Sequence, residues 1–114
     1  MKLIEEVVYS VFSNVLSVPV YTTVPQEQPM SFVTFEKVGG SETNFIKESI
    51  IAFQSYGGSV LDAAKLSAQV RDVALRDLLA QPEVVGVHIE SDQDYTDTRT
   101  KKYRYQCVVS ISHY

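Results

Sequence analysis

A chain of 114 residues with 45% hydrophobic and 21% charged side chains has the size and composition of one globular domain, and is too apolar to stay disordered. Its formal charge of −4 and pI near 5.0 argue against nonspecific attraction to nucleic acid, which draws its free energy from counterion release by Lys and Arg. Cys107, the single cysteine, permits no intrachain disulfide, Glu5-Glu6 interrupts any leader-like start, and no apolar run approaches the roughly 20 residues that span a bilayer, so a soluble protein made in a reducing compartment is expected.

Ile4, Val7, Val8, Val11, Phe12 and Val15 fall on one helical face, which predicts an amphipathic first helix stabilised mainly by the packing of that stripe. Pro19, Pro25 and Pro29 leave room only for a short edge strand through Val20, Tyr21 and Thr22, followed by a loop. Ser31 to Val38 reads as a strand, and Gly39-Gly40 as the turn that ends it. A second long strand runs from about Glu48 to Tyr56; both of its faces begin apolar and become polar, which suits a central position. Between these strands the segment SETNFIK is polar except for Phe45 and Ile46. That apolar pair is either an interaction point on an exposed hairpin tip or folds back onto the sheet.

Gly57 and Gly58 read as turn formers, and Ser59 with Asp62 three residues later has the form of a capping box opening a long helix. Ala63, Leu66, Val70, Val73, Ala74 and Leu78 share its apolar face, and Pro82 ends it. Val84 to Glu90 resumes strand character. After the polar stretch SDQDYTDTRTKK, the residues Tyr103, Tyr105, Cys107, Val109 and Ile111 alternate with more polar ones as in a strand with one buried face. The expected fold is therefore α+β, one domain over residues 1–114, in the order α-β-β-β-α-β-β, with a mainly antiparallel sheet covered by two helices.

Chemistry is sparse. His88 and His113 sit in predicted strands without the neighbours that zinc needs, so a structural or solvent role is expected for both. Asp92, Asp94 and Asp97 superficially suggest a calcium loop, but Asp97 stands where such a loop needs Gly and Tyr103 where it needs Glu. No Lys-Ser/Thr follows the glycines to complete a phosphate cradle. The sequence thus gives no catalytic residue, cofactor or metal, and the expectation is a non-enzyme that works through its surfaces. The seven tyrosines, Tyr9, Tyr21, Tyr56, Tyr95, Tyr103, Tyr105 and Tyr114, suit either an interface or plain strand propensity.

The candidate surfaces are two. One is the Phe45-Ile46 tip. The other is the stretch in which the charge changes sign, from Glu90, Asp92, Asp94 and Asp97 to Arg99, Lys101, Lys102 and Arg104. Opposite charges can meet across a hairpin within the chain, which is the default, or one charged edge can meet the opposite edge of an identical subunit, head to tail.

Taken together, the amphipathic first helix, the segment PVYTTVPQEQPMSFVTFEKVGG (19–40), IIAFQSYG (50–57) running into AAKLSAQVRDVAL (63–75), and the closing YRYQCVVSI (103–111) resemble the tail terminator or tail completion proteins of long-tailed bacteriophages and prophages, notably the small versions from Gram-positive hosts. The resemblance covers nearly the whole chain but rests on no invariant signature, so no functional residue carries over singly. It implies a structural virion protein, made in the bacterial host cytoplasm, that assembles into a homo-oligomeric ring, commonly a hexamer, at the head-proximal end of the tail. That ring would cap the tail tube protein, end its polymerisation and present a head-tail joining surface to the connector protein. DNA would pass through the lumen without specific binding. Two other readings remain open: a head completion or connector ring protein, and a small binding module or enzyme with no part in a phage.

Overall fold

The computed structural model describes residues 3–114. Its elements are helix α1 (Ile4–Val15), strands β1 (Val20–Tyr21), β2 (Phe32–Thr43) and β3 (Ile46–Gly57), helix α2 (Val60–Val73) continuing into a π-helical turn (Ala74–Leu78), and strands β4 (Val84–Asp94) and β5 (Tyr103–His113). The strands form one five-stranded sheet in the order β1-β2-β3-β5-β4, antiparallel except where β1 lies parallel to β2. This is the expected α+β domain, with β3 at the centre.

One face of the sheet is dry. Val33, Phe35, Ile51, Phe53, Cys107, Val109 and Ile111 point from β2, β3 and β5 into a single core with the apolar stripes of both helices. Phe12 of α1 rests on Phe53 with ring centroids 4.7 Å apart, and Phe35 on the same ring at 5.9 Å. The predicted face of α2 is buried at every position from Ala63 to Leu78. In α1 the stripe holds from Ile4 to Phe12 but not at Val15, which is exposed; the chain turns extended at Leu16, and that side chain enters the core instead.

The glycines depart from the sequence reading. Gly39-Gly40 does not end β2, which runs on to Thr43 with a bulge between Lys37 and Gly39. A glycine pair in a strand accommodates the extra residue of a bulge as readily as a turn. Neither Gly57 nor Gly58 adopts a positive φ. Gly57 is the last residue of β3, and a Cβ there would stand 2.7 Å from the backbone nitrogen of Ala63, so it serves the close approach of β3 to the first turn of α2. That turn is capped by Ser59, whose Oγ accepts from the Asp62 amide at 3.1 Å.

Gly57→Ala therefore drives a methyl into rigid backbone and should destabilise the fold by about 1–3 kcal/mol, read from the denaturation midpoint. Gly58→Ala meets only side-chain atoms at ordinary contact distance, the Met30 sulfur at 3.4 Å and Asp62 Oδ2 at 3.8 Å, and should change stability by less than about 0.5 kcal/mol.

Candidate functional site

The register of β3 against β5 separates the two candidate surfaces. Lys47 pairs with His113 and Gly57 with Tyr103, so the β2–β3 turn and the β4–β5 loop lie at opposite ends, at least roughly 33 Å apart at strand rise. The molecule is correspondingly long, 44 × 24 × 23 Å. Phe45 and Ile46 mark one pole, and the segment from Asp92 to Arg104 leads to the other.

At the first pole, Thr43 pairs with Ile46, and Asn44 and Phe45 make the turn with φ of 53° and 67°. Such a two-residue hairpin turn needs the left-handed region at both central positions, where Asn then Gly is the favoured pair. Phenylalanine at the glycine position costs on the order of 1 kcal/mol of backbone strain. Phe45 is 89% exposed and Ile46 39%, so the pair caps a projecting tip and does not fold back onto the sheet.

At the second pole the charges are used in ways that the sequence does not show. Asp92 faces α2: its Oδ1 accepts from Ser67 Oγ at 2.7 Å, and its Oδ2 meets Arg71 Nη1 at 3.1 Å. Asp94 accepts from the Thr96 hydroxyl at 2.6 Å and the Thr96 amide at 2.9 Å, which lower its pKa in that order. Asp97 accepts from the Arg99 amide at 3.0 Å, the main cause of its lowered pKa, with the Thr100 hydroxyl next. Lys101 takes a φ of 55° in the loop.

Arg104 is held in place by its own chain. Its Nε donates to the Tyr95 carbonyl at 2.8 Å and its Nη1 to Tyr56 Oη at 3.3 Å, and its guanidinium lies 4.9 Å from the Tyr95 ring centroid and 6.0 Å from that of Tyr56. Among the described residues, none of the three carboxylates forms an ion pair with Arg99, Lys101, Lys102 or Arg104. The default expectation of charges meeting across the hairpin holds only loosely: Asp97 stands opposite Lys102 and feels the charge of Arg104, but no ion pair closes, and the three carboxylates take their hydrogen bonds from turn amides, hydroxyls and α2. Arg99, Lys101 and Lys102 stand exposed as a basic tip.

Arg104 also joins a stack that crosses the open face of the sheet. Tyr21, Phe32 and Tyr56 follow one another at centroid distances of 6.0 and 4.3 Å, and the guanidinium and Tyr95 continue the row. Beside it runs a groove of about 430 Å³ lined by Thr34, Glu36, Gln54, Gln106 and the Tyr56–Arg104–Tyr95 cluster. Gln54 Nε2 donates to Gln106 Oε1 at 2.6 Å, while Gln54 Oε1 is enclosed without a partner. Sequence reasoning missed this groove, because the alignment of Gln54 with Gln106 is visible only once the register is known.

His113 is buried, its Nε2 2.7 Å from Ser49 Oγ and its Nδ1 3.2 Å from the Tyr114 carbonyl, whereas His88 is exposed beside Glu90. Among the described residues no group of three or more His, Cys, Asp or Glu side chains could hold a metal, and no helix is long and apolar enough to cross a membrane. Against known proteins, neither a family profile nor a curated sequence matches the chain.

Two predictions follow from these contacts. Asp92→Ala strands Ser67 and Arg71 and should cost about 1–3 kcal/mol in urea unfolding. Burial pushes the Cys107 thiol up to about 12, with the Asp92 charge adding and Arg71 opposing. The unfolded chain then ionises this thiol first as pH rises from about 9 towards 12, so stability should fall across that window, and Cys107→Ala should lack this component when unfolding midpoints are compared.

Proposed function

We propose that the protein is a ring-forming structural component of a phage tail, capping the head-proximal end of the tube and offering a second surface to the head connector. The observation that carries this reading is polarity: one rigid sheet presents an apolar tip at one end and a basic tip at the other. A terminator has to do two unlike things at once, stopping addition of tube subunits on one side and engaging a different partner on the other, and unlike poles on one rigid body suit that task. The resemblance in the sequence points the same way.

The basic tip fits an acidic surface. Arg99, Lys101 and Lys102 are exposed and form no ion pair among the described residues, so they are free to meet an acidic surface on a partner. Reversing Lys101 and Lys102 to Glu should weaken attachment to purified tails about tenfold or more and abolish its salt dependence, with folding unchanged.

The decisive experiment mixes the protein with partially assembled tails and locates it by negative-stain electron microscopy. A ring at the head-proximal end, with tube length fixed and heads then able to join, supports the reading. Absence from tails but attachment to packaged heads would replace it with a head-side connector role.

A further inference from the structure

The groove on the open face of the sheet is shaped by small side chains among larger ones. Thr34 and Ala52 lie on its floor, only 7% and 5% exposed, with the segment after β1 (Thr22, Thr23, Val24) toward one edge of the sheet and Gln106 and Tyr95 toward the other. Its volume of about 430 Å³ is that of a site for a small ligand.

Of the described residues that line it, only Arg104 and Glu36 carry charge, and the ladder holds them apart. Arg104 stands beside Tyr56 and Glu36 beside Ala52, four residues or roughly 13 Å away along β3. The groove is therefore dipolar. Glu36 is exposed and, like Arg104, forms no ion pair among the described residues. Asp94 and Asp97, in the loop near Arg104, give their oxygens to Thr96 and the Arg99 amide, and the Arg104 charge is the smallest of the influences on Asp97.

The cation is fixed and surrounded by donors. A guanidinium has five N–H groups; one goes to the Tyr95 carbonyl and one to Tyr56 Oη, and five less these two leaves three for a ligand. Tyr56 Oη accepts from Arg104 and keeps its own proton, and Gln106 accepts at Oε1 and keeps its amide protons. The Thr34 hydroxyl, on the buried floor, makes no hydrogen bond among the described residues. A corner so rich in donors suits an oxyanion. A single cation, with Glu36 in the same groove, favours a monoanionic carboxylate over a phosphate dianion.

We infer that this groove binds a short zwitterionic peptide, its terminal carboxylate on Arg104, Tyr56 and Gln106 and its ammonium group on Glu36. Between the two charges the floor is polar, with Thr34, Gln54 and Gln106, which suits the amides of a peptide better than an apolar spacer. An extended tripeptide holds its charges roughly 10 Å apart, a span that the Arg104 and Glu36 side chains can close from their ends of the groove. The inference stands apart from the tail reading, and its test needs no tail.

The probe is triglycine, titrated into isotope-labelled protein at low salt and about pH 6.5, where its amino group is charged, and read by NMR. Saturable shifts should appear at the Arg104 Nε–H, the Gln106 side-chain amide and Thr34. Triglycinamide, which lacks the carboxylate, should bind about tenfold or more weakly, and N-acetyl-triglycine, which lacks the ammonium group, about threefold more weakly.

Arg104 also anchors the β4–β5 loop, so the exposed Glu36 gives the cleaner variant. Glu36→Gln should keep the unfolding midpoint, lower the affinity for triglycine to that for N-acetyl-triglycine, and leave the binding of the acetylated form undiminished. Shifts that do not saturate, that lie outside the groove, or that are the same for all three probes would overturn the inference. So would a Glu36→Gln protein that still prefers triglycine to its acetylated form.

Discussion

Eleven residues of β3 pair with eleven of β5, from Lys47 against His113 to Gly57 against Tyr103, without a bulge. The other two long pairings are each interrupted, β2 near Val38 and β4 at two places, so the β3–β5 ladder is the one continuous reference to which the rest is attached. A slip of one residue would turn Cys107, Val109 and Ile111 away from the helices and bring Val108 and Ser110 under them. With Phe12 seated on Phe53, that error would undo the core and not merely its edge.

The same ladder decides what the opposite face presents. It sets Tyr56 beside Arg104, and β2 sets Phe32 beside Tyr56, so a row of rings and one guanidinium forms across strands that are far apart in sequence. The β4–β5 loop is tied into that row by Tyr95, through its carbonyl and its ring. The basic pole is therefore positioned by the sheet, although it is built from loop residues, while the apolar pole is simply where the β2–β3 ladder ends.

The elements and their order were legible because each carries its own period: the stripe of α1, the buried face of α2 and the alternation of β5 are local patterns that tertiary structure confirms. Glycine was less legible. Gly39-Gly40 and Gly57-Gly58 look alike in sequence, yet one pair lies within a strand beside a bulge and the other lies between β3 and α2, where Gly57 permits close approach. At the candidate surfaces, the sequence placed Phe45 and Ile46 in a hairpin connection but left open whether they project or fold back, and it did not show the fate of the charges. Asp92 and Arg104 look like surface charges in sequence, and their partners Ser67, Arg71, Tyr56 and Tyr95 are found only through the register.

The shortness of β1 has a further consequence. It covers only Val33 and Thr34, so β2 from Phe35 to Thr43 keeps a bare outer edge, as β4 does on the far side. Bare edges template the addition of strands from other chains. Here each is out of step with a regular strand: β2 shifts near Val38, and β4 shifts between Val84 and Gly86 and again between Ile89 and Ser91. A generic extended peptide laid along either edge would lose hydrogen-bond phase within a few residues. The sheet thus resists indiscriminate growth at its sides, and only a strand carrying matching offsets could lengthen it.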